Sequence, residues 1–326
     1  MLLMKISFII PAYNASKTIE RCINSVLSQT SLDWEAVIVD DGSKDSTYDL
    51  IQQYEAKDKR IIALTQENQG PGMARNLGMK HATGDYIAFL DSDDYIENDY
   101  VSSVKEKIEA GKFDVVIIDN YYETPEGKLI REEKLSDFSL LNKEELIAVQ
   151  MTGKMPWGGW RKVIARDIIV NNKIEYSSDP VGEEALFSFR VFYYAQNIGF
   201  LNKFVLHYID YPTSQSKKGS DDPWGGVVDK LNDYIINNIG ENAYRKEINS
   251  FAYTALIVSL YRIACNHNFK DAMVISKAQL TKVCEKYSQE CNLESLESRV
   301  KLLLPFVKMK FTLPILVISK IKKMIK

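Results

Sequence analysis

The sequence predicts an α/β fold: a mostly parallel sheet covered by helices on both faces, followed by a helical C-terminal region. Three observations carry this. Short runs rich in β-branched and aromatic residues recur between residues 5 and 120, helical patterns separate them, and the connections are short. Parallel neighbours need crossover helices, so this alternation implies a parallel sheet with helices on both sides. Beyond about residue 220 the remaining periodicity is helical.

The runs that read as buried strands are "KISFII", "WEAVIVD", "RIIALT", "DYIAFLD" and "FDVVIID". The opening "MLLMKISFIIPAY" is apolar, but it has no basic region ahead of the apolar run and no small-residue cleavage site, so it reads as a first strand and not a signal peptide. Between the strands, Ile19, Cys22, Ile23, Val26 and Leu27 recur at the spacing of one helix face. "STYD", Ser46 to Asp49, resembles a capping box ahead of Leu50, Ile51 and Tyr54. Pro71 suits the first turn of a third helix, and Asn98 can cap a fourth that stops at Gly111.

Residues 121–140 are polar and charged, as a surface excursion would be, and 141–210 return to mixed character with clustered aromatics. The turn-rich stretch "YPTSQSKKGSDDPWGG" places a domain boundary near residue 220, giving domains 1–220 and 221–326. In the second, Tyr253, Leu256, Ile257, Leu260, Tyr261 and Ala264 share one helix face.

Composition narrows the function. A chain of 326 residues, 45% hydrophobic and 26% charged, buries a substantial core. A net charge of −3 gives no whole-protein attraction to nucleic acid. Four cysteines without a CxxC pair read as reduced cytoplasmic thiols.

Polar residues gather where the strands end. "PAYNAS" (Pro11 to Ser16) follows the first strand, "DDGSKDS" (Asp40 to Ser46) the second, "ENQGPGMARN" (Glu67 to Asn76) the third and "DSDD" (Asp91 to Asp94) the fourth. In an open parallel sheet ligands bind outside the carboxyl ends of the strands. Each loop alone is a common turn or cap; together they read as one site. Asp40 could accept the imide N–H of a uracil, Tyr13 could pack against the base, and Arg75 at a helix start could offset phosphate charge. Hard cations such as Mg²⁺ and Mn²⁺ bind one or two carboxylates plus substrate phosphates, so Asp93, with Asp91 on the same side of an extended segment, suits a metal diphosphate. Asp94 is expected to cap the next element. The chain has no GxxxxGK[ST] and no GxGxxG after the first strand, which leaves P-loop and dinucleotide schemes unsupported.

Taken together, "SFIIPAYNASKTIERCINSVLSQT", "WEAVIVDDGSKDST" and "QENQGPGMARNLGMKHATGDYIAFLDSDD" resemble the N-terminal half of the family 2 inverting glycosyltransferases with a GT-A fold, densely over residues 5–110. The resemblance implies a nucleotide-sugar donor, usually a UDP-sugar, with Mg²⁺ or Mn²⁺. It makes 1–120 the nucleotide-sugar-binding half and 121–220 the acceptor-side half of a GT-A domain. Pro11, Tyr13, Asp40 and Asp41 would line the nucleoside pocket, together with Ala12, Gly42 and Ser43 of the same two loops. Asp91 and Ser92 would lie by the ribose and diphosphate, with Asp93 the main metal ligand.

Such enzymes carry an acidic pair whose second member is the catalytic base. Here "GEEALF", Gly182 to Phe187, puts Glu184 where aspartate is usual and leaves Glu183 as the alternative. Inversion needs such a carboxylate, because a base removes the acceptor proton as its oxygen attacks the anomeric carbon. "MPWGGWRKVIARDII" resembles the acceptor-side segment, and Trp157 and Trp160 could stack on a sugar ring. In "HYIDYPTSQSKK", Asp210 and Tyr211 stand where relatives often show an arginine after the tyrosine, which leaves a phosphate contact there either missing or moved to Lys217 or Lys218; His207 reads as structural.

Residues 301–326 hold seven lysines and no acid among bulky aliphatics. Pro305, Lys308, Lys310 and Pro314 interrupt any membrane-spanning run, so the segment reads as amphipathic and interfacial, attracted to anionic lipid. The function expected is therefore transfer from a nucleotide sugar to a glycan acceptor, lipid-linked where the enzyme sits on the membrane, for bacterial cell-surface polysaccharide or glycoprotein glycan. The expected location is cytoplasmic, peripheral on the inner face of the cell membrane; oligomer formation is left open. The rival is a non-catalytic nucleotide-sugar-binding module that uses its helical region for partner assembly.

Overall fold

The computed structural model describes residues 4–178, 183–211, 221–287 and 290–325, of which 183 and 320–325 by backbone alone. The chain divides into two compact units, Met1–Leu141 with Gly158–Pro212, and Asn142–Trp157 with Thr213–Lys326.

The first unit is built on one sheet. Its strands are β1 (Ile6–Ala12), β2 (Trp34–Asp40), β3 (Ile61–Thr65), β4 (Tyr86–Phe89), β5 (Tyr95–Ile96), β6 (Val115–Glu123), β7 (Leu129–Glu133), β8 (Lys162–Ala165) and β9 (Ile198–Ile209). They run in the order β3-β2-β1-β4-β8-β6-β9-β5, with β7 paired to β6. Every residue of β1 and β2 is buried, the mark of parallel strands covered on both faces. Registers Ala12↔Asp40, Asp40↔Thr65 and Ile9↔Phe89 bring the carboxyl ends of β1 to β4 to one edge. Beyond β4 the sheet turns mixed: β8 is antiparallel to both β4 and β6, while β9 is parallel to β6 and antiparallel to β5.

The crossovers are α1 (Ile19–Leu27), α2 (Thr47–Glu55), α3 (Pro71–His81) and α4 (Tyr100–Gly111). In α1 the spacing of Ile19, Cys22, Ile23 and Val26 buries all four, each aliphatic side chain contributing about 1.5–3 kcal/mol. Two capping expectations fail. Ser46 makes no side-chain cap bond, because Asp45 accepts the Thr47 N–H instead at 3.1 Å. The N-cap of α4 is Asp99 and not Asn98. Nor is 121–140 a bare surface excursion. There β6 continues into a hairpin with β7, and the buried Asp119 accepts the N–H and hydroxyl of Ser136 at 2.8 and 2.7 Å.

The second unit is helical: α5 (Lys143–Met151), α8 (Gly225–Asn238), α9 (Arg245–Asn266), α10 (Phe269–Lys286), α11 (Ser298–Lys308) and α12 (Leu313–Ile325). Helix α5 belongs here although it lies far from the others in sequence. Its C-terminal end is tied down by Thr152 Oγ1 to the Ser295 carbonyl at 2.7 Å and by Lys154 Nζ to the Glu294 carbonyl at 2.9 Å. Helix α9 is long and apolar enough to cross a membrane, but 72% of that window is buried, and it forms the core of the unit. Tyr253, Leu256, Ile257, Leu260 and Ala264 are buried as their spacing requires, with Tyr261 half-buried.

Candidate active site

Two further helices of the first unit, α6 (Arg166–Asn171) and α7 (Glu183–Tyr194), complete the framework of the site. The four strand-end loops are stapled to one another. After β1, the Asn14 N–H donates to Ser43 Oγ at 2.9 Å, and Asn14 Oδ1 accepts the Lys44 N–H at 2.8 Å. Pro11 and Ala12 lie buried in the strand itself, and Tyr13 beside them is exposed. Gly42 has φ +71°, and a Cβ there would stand 2.9 Å from the Asn68 nitrogen, so only glycine allows the second loop to meet the third.

The adjacent acids of the second loop do different things. Asp41 departs from expectation: Oδ1 accepts from Gln66 Nε2 and the Gln69 N–H at 2.7 and 2.9 Å, and Oδ2 from the Gly70 N–H at 2.8 Å. Its carboxylate builds the wall of the third loop and is not open to a ligand. Asp40 Oδ2 accepts from the Ser43 N–H and Thr65 Oγ1, while its buried Oδ1 has no hydrogen-bond partner among the described residues. A buried carboxylate oxygen without a donor is costly, and such exceptions mark places where a ligand can supply the bond.

Arg75, in the second turn of α3, donates to Asp91 Oδ1 at 2.8 Å. It therefore supports an acid of the fourth loop directly. Asp91, Ser92 and Asp93 are half-buried, and Arg21 donates to the Asp93 carbonyl at 2.6 Å. Burial first, and then the neighbouring Asp91, push the Asp93 carboxyl up to about 6. Asp94 does not cap a helix: it is buried, accepts the Ile209 N–H at 2.8 Å, and is raised well above the usual carboxylate range by burial and by Asp93 and Asp91. Among the described residues no group of three or more His, Cys, Asp or Glu side chains forms a metal cage. Two hard carboxylates at a strand end, one resisting ionisation, still suit a Mg²⁺ or Mn²⁺ ion that takes its other ligands from phosphates and water.

Glu184, in the first turn of α7, accepts the Gly159 N–H at 3.1 Å. Three cations of the unit feel it. Burial works against the charge on Arg75, Arg161 and Lys162, and Glu184 opposes it in each, leaving the Lys162 amine pushed down to about 7. Arg75 is thus bonded to Asp91 and also feels the charge of Glu184. The aromatic backing is Tyr176, which lies 5.2 Å from the Arg75 guanidinium and stacks on Phe187 with centroids 4.0 Å apart. Glu183 begins the same helix; its side chain and Gly182 lie outside the described residues, as do Lys217 and Lys218.

The tryptophans are packed and do not present open faces. Trp160 stacks on Tyr208 with centroids 5.0 Å apart and is covered by Arg161 at 3.7 Å. Trp157 belongs to the helical unit, where its ring meets Phe251 at 5.5 Å. The expected stacking on an acceptor sugar therefore gives way to core packing for both. His207 is structural: its ring nitrogens lie 2.9 Å from Glu123 and 2.9 Å from Glu97, and Tyr95 stacks on it. Sequence reasoning missed Lys162 and the Arg161–Glu133 ion pair of 2.7 Å beside it. The available signal was the charged pair "RK" opening an otherwise apolar strand.

The model of the family "Glycosyl transferase family 2" matches residues 7–192. Glycosyltransferase GlyG of Streptococcus pneumoniae serotype 4 is 26% identical over 300 residues, which is 88% of this chain and 93% of that protein. Chondroitin synthase of Escherichia coli is 46% identical over 96 residues, 29% of this chain and 14% of its own. Among solved structures, S. aureus TarS in complex with UDP-GlcNAc has a TM-score of 0.75 at 20% identity, covering 98% of this chain and 92% of that one. That likeness shows the GT-A fold, and the family match takes in all four strand-end loops and Glu184. The protein is a member of glycosyl transferase family 2, a glycosyltransferase by class.

Proposed function

We propose that the protein is an inverting glycosyltransferase that moves a hexose from a UDP-sugar to a glycan acceptor of bacterial cell-surface polysaccharide or glycoprotein. The observation that carries this reading is Arg75, bonded to Asp91 and electrostatically coupled to Glu184, because it joins the acidic turn to a second carboxylate suited to act as base. The UDP-GlcNAc held by the TarS structure and the name of the chondroitin synthase support the donor and product classes.

In this reading the unpartnered Asp40 oxygen accepts the uracil imide N–H and exposed Tyr13 packs on the base. Asp91 and Asp93 would hold Mg²⁺ or Mn²⁺, which would neutralise charge on the diphosphate. Glu184 takes the proton of the acceptor hydroxyl. That oxygen bonds to the anomeric carbon as the bond from this carbon to the diphosphate oxygen breaks, its electron pair leaving with UDP. Glu184 is preferred to Glu183 because its carboxylate is held by the Gly159 N–H among three cations.

The test is UDP release from UDP-sugars with Mn²⁺, with UDP binding measured alongside. In Glu184→Gln release falls by about 10²-fold or more while UDP binding persists. Unchanged release removes the base assignment, and a wild-type protein that binds UDP-sugars without turnover favours the non-catalytic module.

The C-terminal helices add a location. Leu302, Met309, Phe311, Leu313, Val317 and Ile318 are exposed among the lysines of 301–326. An apolar surface framed by cations and free of acids matches an anionic lipid surface, so this segment would hold the enzyme on the inner face of the cell membrane, beside lipid-linked acceptors.

A further inference from the structure

We propose that Lys162 is a positioning residue for Glu184 and acts on it through the peptide bond between Gly158 and Gly159. The inference rests on Glu184 as the base. Lys162 Nζ donates to the Gly158 carbonyl at 2.9 Å, and the Gly159 N–H donates to Glu184 Oε1 at 3.1 Å. That carbonyl and that N–H belong to one planar peptide unit, so holding the oxygen fixes the direction in which the N–H points. When it carries its proton, Lys162 on the carbonyl also polarises the amide and makes its N–H a stronger donor to the carboxylate.

A second contact closes the ring. Lys162 Nζ lies 3.1 Å from Ser188 Oγ, and Ser188 stands one helical turn after Glu184 on α7, on the same face. One buried amine therefore ties the helix that carries the base to the peptide that aims it. Neither glycine could carry a side chain unless a neighbouring side chain shifted. A Cβ on Gly159 would lie 2.2 Å from Tyr176 Oη, and one on Gly158 would lie 2.2 Å from Arg161 Nη1. Lys162 is fully buried at the start of β8, where an apolar residue would serve packing at least as well. A lysine there is explained by the two oxygens its amine reaches, the Gly158 carbonyl and Ser188 Oγ.

The test uses the full chain with Lys162→Met, Ser188→Ala, Glu184→Gln and the double variant Lys162→Met/Glu184→Gln, read by UDP release from UDP-GlcNAc with Mn²⁺ and by thermal melting. Lys162→Met should lower kcat by about 10- to 100-fold with the donor KM changed less than about 2-fold, and Ser188→Ala by a smaller factor in the same direction. The double variant should be no slower than Glu184→Gln alone, because both changes remove one function. Wild-type kcat in Lys162→Met, or losses that multiply in the double variant, overturn the proposal. Full turnover in Glu184→Gln overturns the base reading itself. A substrate-free arm separates the two: the Gly159 amide resonance of [¹⁵N]glycine-labelled protein should move in both Lys162→Met and Glu184→Gln, and a resonance unmoved in Lys162→Met overturns the proposal whatever the donor.

Discussion

Arg75 and Asp91 form a 2.8 Å ion pair in which the guanidinium is almost closed off, at 6% side-chain exposure, while the carboxylate keeps 26%. The cation is thus the fixed partner and the acid the one that still meets solvent. Burial opposes the charge on Arg75, and Asp91, Tyr176 and Glu184 together outweigh it, so the guanidinium stays protonated at any working pH.

Removing that cation should affect chemistry and stability together. Arg75→Met leaves Asp91 beside Asp93 without its counter-charge, which is expected to destabilise the fold by about 1–3 kcal/mol and to lower UDP release by about tenfold or more. Denaturant unfolding and steady-state kinetics on the same preparation check both. A variant with wild-type stability and rate would show the pair to be incidental.

Asp93 gives a pH-dependent prediction whose sign is opposite to that of a salt-bridged acid. Its folded carboxyl is raised to about 6 from 3.8, first by burial and then by Asp91. Between those values the folded state holds more protons than the unfolded one, so this group's contribution to stability falls as pH rises through the window. Asp93→Asn removes the penalty. The variant should be more stable than wild type by about 1–2 kcal/mol at pH 7.5, with the gain at least halved at pH 4.5, and it should lose Mn²⁺-dependent stabilisation. Equal stability of the two proteins at both pH values would contradict the buried-carboxylate account.

Membrane attraction is tested without truncation, since Leu304, Val307, Ile315 and Leu316 of the same helices are buried in the helical unit. The wild-type protein should float with phosphatidylglycerol vesicles and not with phosphatidylcholine vesicles, and Lys301→Glu/Lys308→Glu/Lys310→Glu should abolish flotation. Equal flotation of variant and wild type would defeat the proposal.

Much of the first unit was legible because buried parallel strands are written as unbroken apolar runs; "KISFII" and "WEAVIVD" became β1 and β2 almost to the residue. The β6–β7 hairpin was not, because Leu129 to Glu132 are all exposed, and an exposed edge strand has no burial pattern to read. Helix α5 was assigned to the wrong neighbourhood because its partners, Ser295 and Glu294, are more than a hundred residues away in sequence. In the site, the resemblance picked out Glu184 and the acidic turn, but nothing local distinguishes Asp40 from Asp41. Only the tertiary hydrogen bonds do that, by occupying one carboxylate and leaving an oxygen of the other unmatched. The two tryptophans show the converse: a spacing of three residues says nothing about which core each ring enters.

Closure of the strand-end loops on a metal-bound uridine diphosphate underlies every role assigned to them. A crystal grown with Mn²⁺ and UDP, measured at the manganese absorption edge, decides whether it occurs. The expected result is an anomalous peak bonded to the Asp93 carboxylate and to the diphosphate, with the uracil against Asp40 and Tyr13; an ion and a nucleotide bound elsewhere, with these loops empty, would contradict it.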